Sequence, residues 1–281
     1  MSHQCITPCR ISAFASHLRA LERSPATIAC YLRHVRAFAQ WLDGRAVNRT
    51  AVQDWKAHLA DSGAAPSTVN SKLAALHSFF AFQGWQDLRV SYLRVQRRLF
   101  RPPGRELSQR DYLSLVRTAR RQRQQRLALI LETIAACGLR ISELRHITAQ
   151  AVQDGRAEIH LKGKVRVILL PRRLRDKLQR YARTQKIAGS ALFRTTGDRP
   201  VSRQQVWREM KALARAAHID PGKVFPHNLR HLFATVFYAH SHDIVRLADI
   251  LGHSSVETTR RYLTTSGSEH IRQLDSLHLV T

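Results

Sequence analysis

Between positions 88 and 105 the chain carries six arginines, no acidic residue and the breaker Pro102-Pro103-Gly104. Proline lacks a backbone donor and clashes with the preceding helical turn, so no helix runs through this stretch. It also shows no apolar stripe of its own. The segment therefore reads as a basic linker, residues 88–106, dividing the 281-residue chain into two folding units. Its charge suits a phosphate backbone, and equally a solvated connector.

The front unit, 1–87, reads as four helices. Ser24-Pro25 is an N-cap followed by proline at the first helical position, and Ile28, Leu32, Val35, Ala39 and Leu42 repeat at helical spacing until Gly44. A helix carrying Val52, Trp55 and Leu59 starts at Asn48 or Thr50. Pro66-Ser67 opens another, with Val69, Leu73, Leu76 and Phe80 on one stripe, and a first helix over 11–21 completes the set. Beyond the linker the chain is mostly helical, with one interruption. Residues 158–161 and 165–170 read as strands around a tight Lys162-Gly163-Lys164 turn, and helices resume near Arg172, Ser202, Pro226, Asp243 and Ser255.

Charge narrows the partner. Lys and Arg number 46 against 20 Asp and Glu, a formal net charge of +26, which points to a polyanion. Both units share it: 13 basic against 5 acidic residues up to position 100, and 33 against 15 beyond. Arginine outnumbers lysine 38 to 8, which fits either bidentate phosphate contacts or a GC-rich coding bias. The longest apolar run, 127–137, contains Glu132 and falls short of the ~18–20 residues of a membrane helix. No secretory pattern opens the sequence, and its four cysteines form no CxxC pair or zinc spacing. The expectation is a cytoplasmic, polyanion-binding protein with reduced thiols, no bound metal and no cofactor.

Four segments of the second half carry chemistry. They are Gly138-Leu139-Arg140-Ile141-Ser142-Glu143-Leu144, the Lys162-Gly163-Lys164 turn, Pro226-His227-Asn228-Leu229-Arg230-His231, and Leu251-Gly252-His253 with Tyr262 nine residues on. Each alone is ordinary: a surface arginine, a solvated lysine, a half-buried tyrosine. Together they supply what metal-free phosphodiester transfer needs. Non-bridging oxygens gain charge as phosphorus becomes five-coordinate, so fixed cations lower the barrier. Arginine stays charged and grips two oxygens at once. A phenol, with a pKa near ~10, needs a base or a positive field to attack at neutral pH. The departing alkoxide needs a proton, which a lysine can deliver, and histidines move protons near neutrality. No P-loop and no acidic two-metal cluster stands beside them.

In this order the segments resemble the tyrosine recombinase (phage-integrase-type) family, over residues 107–265, and the helical front resembles that family's core-binding domain. The resemblance implies a mainly α protein: a SAM-like four-helix core-binding domain (1–87), a mostly helical catalytic domain with a small β-hairpin (107–265), and a C-terminal tail helix (266–281). It implies Tyr262 as the nucleophile that forms a 3′-phosphotyrosine, with Arg140 and Arg230 clamping the scissile phosphate. His227 would be the general base, Lys162 the general acid, and His253 a hydrogen-bond partner of a phosphate oxygen. Glu143 would support the arrangement by orienting these groups. Arg94, Arg97, Arg98, Arg101 and Lys164 would hold DNA. The hairpin run Lys162-Gly163-Lys164-Val165-Arg166 is one residue shorter than the family's usual Lys-Gly-x-Lys-x-Arg, so Lys164 stays a rival for the acid.

The implied partner is double-stranded DNA with inverted half-sites, bound by a homo-tetramer that passes through a Holliday junction. The tail, with Ile271, Leu274, Leu277 and Leu279 apolar, would be exchanged between protomers, or pack on its own domain. Two other readings stand beside recombination: a type IB-like topoisomerase and a catalytically silent DNA-binding protein. The compact two-domain length resembles Xer-type or transposon-borne members.

Overall fold

The computed structural model describes residues 4–95, 104, 106–161, 164–187, 191–195, 197–253, 255–260, 262 and 275–276. The chain divides into two compact units, Met1–Arg97 and Arg98–Thr281.

Among its described residues the first unit holds four α-helices, α1 (Pro8–Ala20), α2 (Pro25–Leu42), α3 (Arg49–Asp61) and α4 (Pro66–Gln83). Their starts are set by short polar side chains. Thr7, Ser24 and Asn48 each accept a bond from the backbone N–H three residues on, at 3.3, 3.2 and 2.8 Å. The first helix thus begins earlier than expected, because Thr7-Pro8 supplies a cap and a preset φ. The stripe Val69, Leu73, Leu76 and Phe80 is fully buried. Phe14 meets Phe79 edge-on at 5.3 Å and Phe38 meets Phe80 at 6.4 Å, so aromatic packing joins α1 and α2 to α4.

The reading of 88–95 as the start of a free linker is corrected. Leu88 and Val90 are buried in this unit's core. Asn70 brackets Leu93, accepting from its N–H at 2.8 Å and donating to its carbonyl at 2.9 Å. His77 Nε2 accepts from the Val90 N–H, and Lys56 donates to the Ser91 carbonyl. The segment has no internal periodicity because its partners are polar side chains far back in sequence. Arg94 is exposed at its end; Arg97, Arg98 and Arg101 lie outside the described residues.

The second unit is built around α6 (Gln125–Cys137), which is apolar on nearly every side and buries Leu127, Ile130, Leu131 and Ile134. Around it lie α5 (Gln109–Arg121), α7 (Ala149–Asp154), α8 (Arg172–Thr184), α9 (Arg203–Ala216), α10 (Pro226–Ser241), α11 (Ile244–Leu251) and α12 (Val256–Arg260). Ser202 and Asp243 cap α9 and α11 at the positions expected. Two antiparallel strands, β1 (Arg156–Leu161) and β2 (Lys164–Leu169), form the hairpin, with Leu161 paired to Lys164. Along β2 the side chains alternate: Ile168 is buried, whereas Val165, Val167 and Leu169 are exposed. No described helix is long and apolar enough to cross a membrane. The apolar positions expected on the tail helix lie outside the described residues.

Candidate active site

The site assembles where α6 ends, α10 begins and α11 ends. Gly138 terminates α6 at φ +58°, a conformation costly for any residue with a Cβ, and an added Cβ would lie 2.4 Å from Phe233. This turn aims the Gly138 carbonyl at Arg230, which donates to it at 2.6 Å. Arg230 also donates to the Leu251 carbonyl at 2.7 Å and to Nε2 of His253 at 2.9 Å. Its side chain is among the largest fully buried ones in the protein, and its Nε has no hydrogen-bond partner among the described residues. Burial, then the neighbouring Arg140, pulls its pKa down to about 10, against the stabilising contact of the Tyr262 phenol.

Arg140 follows Gly138-Leu139 at the mouth of a short 3-10 turn, Ile141–His146. Glu143, 2 % exposed, closes this turn: it accepts the Arg140 backbone N–H at 2.7 Å and the Arg140 guanidinium at 2.9 Å. Burial alone would raise the Glu143 pKa. The Arg140 N–H and the charge of Arg166 outweigh it and hold the carboxyl below the usual range.

Tyr262 is buried among three imidazoles. Its ring centroid lies 5.5 Å from that of His227, 5.5 Å from His231 and 5.6 Å from His253, the last nearly parallel. His253 Nδ1 contacts Thr259 Oγ1 at 2.8 Å. Burial, then Arg230, Arg140, Arg166 and His227, pushes the His253 pKa down to about 4. Two guanidiniums (Arg140, Arg166) thus share one carboxylate, Glu143, while a third, Arg230, has no described carboxylate partner. Such an excess of fixed cations beside a tyrosine suits an anionic substrate and nucleophilic attack on it.

Of the residues singled out in sequence, Arg140, Glu143, His227, Arg230, His253 and Tyr262 converge here. Lys162 lies outside the described residues, as does the side chain of Lys164, whose backbone begins β2. Three contributors were missed. His231 is one helical turn after His227, Thr259 is three residues before Tyr262, and Arg166 shares the inward face of β2 with Ile168; each spacing carries a signal.

These features belong to a known class. A model of the phage integrase family matches residues 105–269, and one of the phage integrase N-terminal SAM-like domain matches 11–87. The chain belongs to the phage integrase family, whose Xer-like members are tyrosine site-specific recombinases. It is 30 % identical over 272 residues to the tyrosine recombinase XerA of Thermococcus kodakarensis, covering 94 % of this chain and 93 % of that protein. It is 31 % identical over 277 residues to XerD of Xanthomonas campestris pv. campestris, covering 90 % and 85 %. A lambda integrase tetramer bound to a Holliday junction shares the fold, with a TM-score of 0.71 at 16 % identity over 90 % of this chain and 76 % of that one. Relatives named as recombinases do not favour the topoisomerase alternative.

Proposed function

We propose that this recombinase cuts and rejoins duplex DNA through Tyr262. The phenolic oxygen attacks the scissile phosphorus, its proton passing to His227. The bond from phosphorus to the 5′-oxygen breaks, and that oxygen leaves protonated as a 5′-hydroxyl. The product is a 3′-phosphotyrosine that keeps the energy of the broken diester, so a second 5′-hydroxyl reseals it by the reverse steps without ATP. Arg140 and Arg230 bind the non-bridging oxygens, His253 assists them and Glu143 holds Arg140. Lys162 protonates the leaving oxygen, with Lys164 as its rival.

The observation that carries this reading is Arg230. It is buried, it is held by two carbonyls and a histidine, no described carboxylate pairs with it, and the Tyr262 phenol lies against it. A buried cation without a counter-charge is costly unless an anion completes it. The test is a nicked suicide duplex. Tyr262→Phe should bind it and trap no covalent adduct; an adduct that persists overturns the assignment. Lys162→Ala and Lys164→Ala, compared on a 5′-bridging phosphorothiolate that needs no acid, separate the two lysines, since only loss of the true acid is rescued.

The wider assembly belongs to the same proposal. The front unit, with the 88–95 segment packed on it, acts as the core-binding domain and 107–265 as the catalytic domain, while Arg94, Arg97, Arg98, Arg101 and Lys164 grip phosphates. Four protomers act on paired inverted half-sites in the nucleoid through a Holliday junction, and the 266–281 tail is passed between neighbours. The likeness to the junction-bound lambda integrase tetramer supports this arrangement. Deleting 267–281 should weaken synapsis while sparing half-site binding; unchanged synapsis overturns tail exchange.

A further inference from the structure

We infer that Arg166, on β2, is a positioning residue that aims the phosphate-binding groups of the site; this rests on the recombinase reading above. Its guanidinium reaches two places at once. One nitrogen donates to both oxygens of Glu143 at 2.6 Å, and the other donates to the Ile250 carbonyl at 2.9 Å. Glu143 holds Arg140, and Ile250 precedes the Leu251-Gly252-His253 run whose Leu251 carbonyl and His253 ring hold Arg230. A single side chain therefore links the two arms of the phosphate clamp.

The surroundings are shaped for this side chain. Arg166 is 10 % exposed and Glu143 2 %. Gly252, at φ +64°, runs so close to Arg166 that an added Cβ would sit 2.4 Å from Cδ and 2.8 Å from Nε. Arg166 shares the carboxylate with Arg140 and so competes for it. Without Arg166, Glu143 would be free to draw the Arg140 guanidinium fully onto itself and away from a phosphate oxygen. The fork geometry matters because two acceptors lie on different elements, and a lysine ammonium cannot span them with the same rigidity. Arg166 directs its described hydrogen bonds to these partners and leaves little of itself exposed, so its positioning effect is carried through them.

The test uses the full-length protein and a duplex selected by wild-type binding from a randomised pool, with its cleavage position mapped by the wild-type covalent adduct. Single-turnover cleavage is then compared on that duplex and on one with a methylphosphonate at the scissile position. The methyl group removes one of the charges that the arginines stabilise, so a misaimed clamp costs less there. Arg166→Ala should lose about 100-fold in cleavage rate on the phosphate substrate and about tenfold or less on the methylphosphonate, with half-site affinity unchanged. Arg166→Lys, which keeps charge and bulk, should fold as the wild type by circular dichroism and show the same unequal loss in milder form. Equal losses on the two substrates, or none, overturn the inference and leave the recombinase reading standing. A wild-type protein that traps no adduct overturns that reading and the inference with it.

Discussion

Arg230 donates to Nε2 of His253 across 2.9 Å, and since a guanidinium only donates, this nitrogen is an acceptor and the imidazole proton sits on Nδ1, facing Thr259 at 2.8 Å. In this arrangement His253 offers nothing to a phosphate oxygen. It must first be rotated or protonated, and the incoming anion is what favours both.

His253 should accordingly titrate differently with and without DNA. In the free protein its pKa of about 4 keeps it neutral through the physiological range. A bound phosphate should raise it, which imidazole NMR shifts would record. Its effect on stability has a definite sign. The folded pKa lies below the unfolded value of 6.5, so the unfolded chain takes up the proton first as pH falls. That contribution is intact above about 6.5 and is lost as pH drops toward about 4. His253→Gln should flatten this part of a stability-versus-pH curve.

Glu143→Gln should be costly in both folding and activity. It leaves two arginines beside a neutral amide, and breaking a buried pair costs about 3–5 kcal/mol; urea denaturation reads this directly. The Glu143 pKa is lowered, so its contribution holds above the ordinary carboxylate range and disappears as pH falls through the folded value. The gap between wild type and variant should therefore narrow in acid. A constant gap down to low pH would show that the charge is not what matters.

Gly138→Ala and Gly63→Ala separate packing from backbone strain. Both glycines have positive φ, but only at Gly138 would the new methyl strike a neighbour, Phe233 at 2.4 Å. Gly63→Ala should cost about 1–2 kcal/mol, and Gly138→Ala a further ~1–3 kcal/mol from overpacking. Because the Gly138 carbonyl holds Arg230, only the second variant should also slow DNA cleavage.

Asn70→Ala should free the segment after α4. Asn70 supplies both hydrogen bonds that bracket Leu93, and their loss leaves a half-buried peptide unsatisfied at about 1–3 kcal/mol. Hydrogen exchange at the Leu93 amide should accelerate strongly while the α2 core stays protected.

Much of this architecture was legible because it is written locally. Ser24, Asn48, Ser202 and Asp243 cap helices through bonds spanning three residues, and the hairpin follows from strand alternation about a glycine turn. The convergence of Arg140, Arg230, His253 and Tyr262 was readable only as an ordered set, since their contacts span up to 92 residues. Beyond His231 and Thr259, two features escaped. The 88–95 segment looked unanchored because Asn70 and His77 hold it from α4. Arg166 looked like one more basic residue because its purpose depends on Glu143 and Ile250, far away in sequence on either side.

The Ile250 and Leu251 carbonyls, each bonded to a different arginine, are the last two of α11. Aligned peptide dipoles give a helix C-terminus roughly half a negative charge. That is enough to hold Arg230 in a buried position but too little to cancel it. A carboxylate in the same place would bind the guanidinium more firmly and would also repel a phosphate. By using a helix end as a partial counter-ion, the protein keeps a full positive charge available for a substrate that is itself negative.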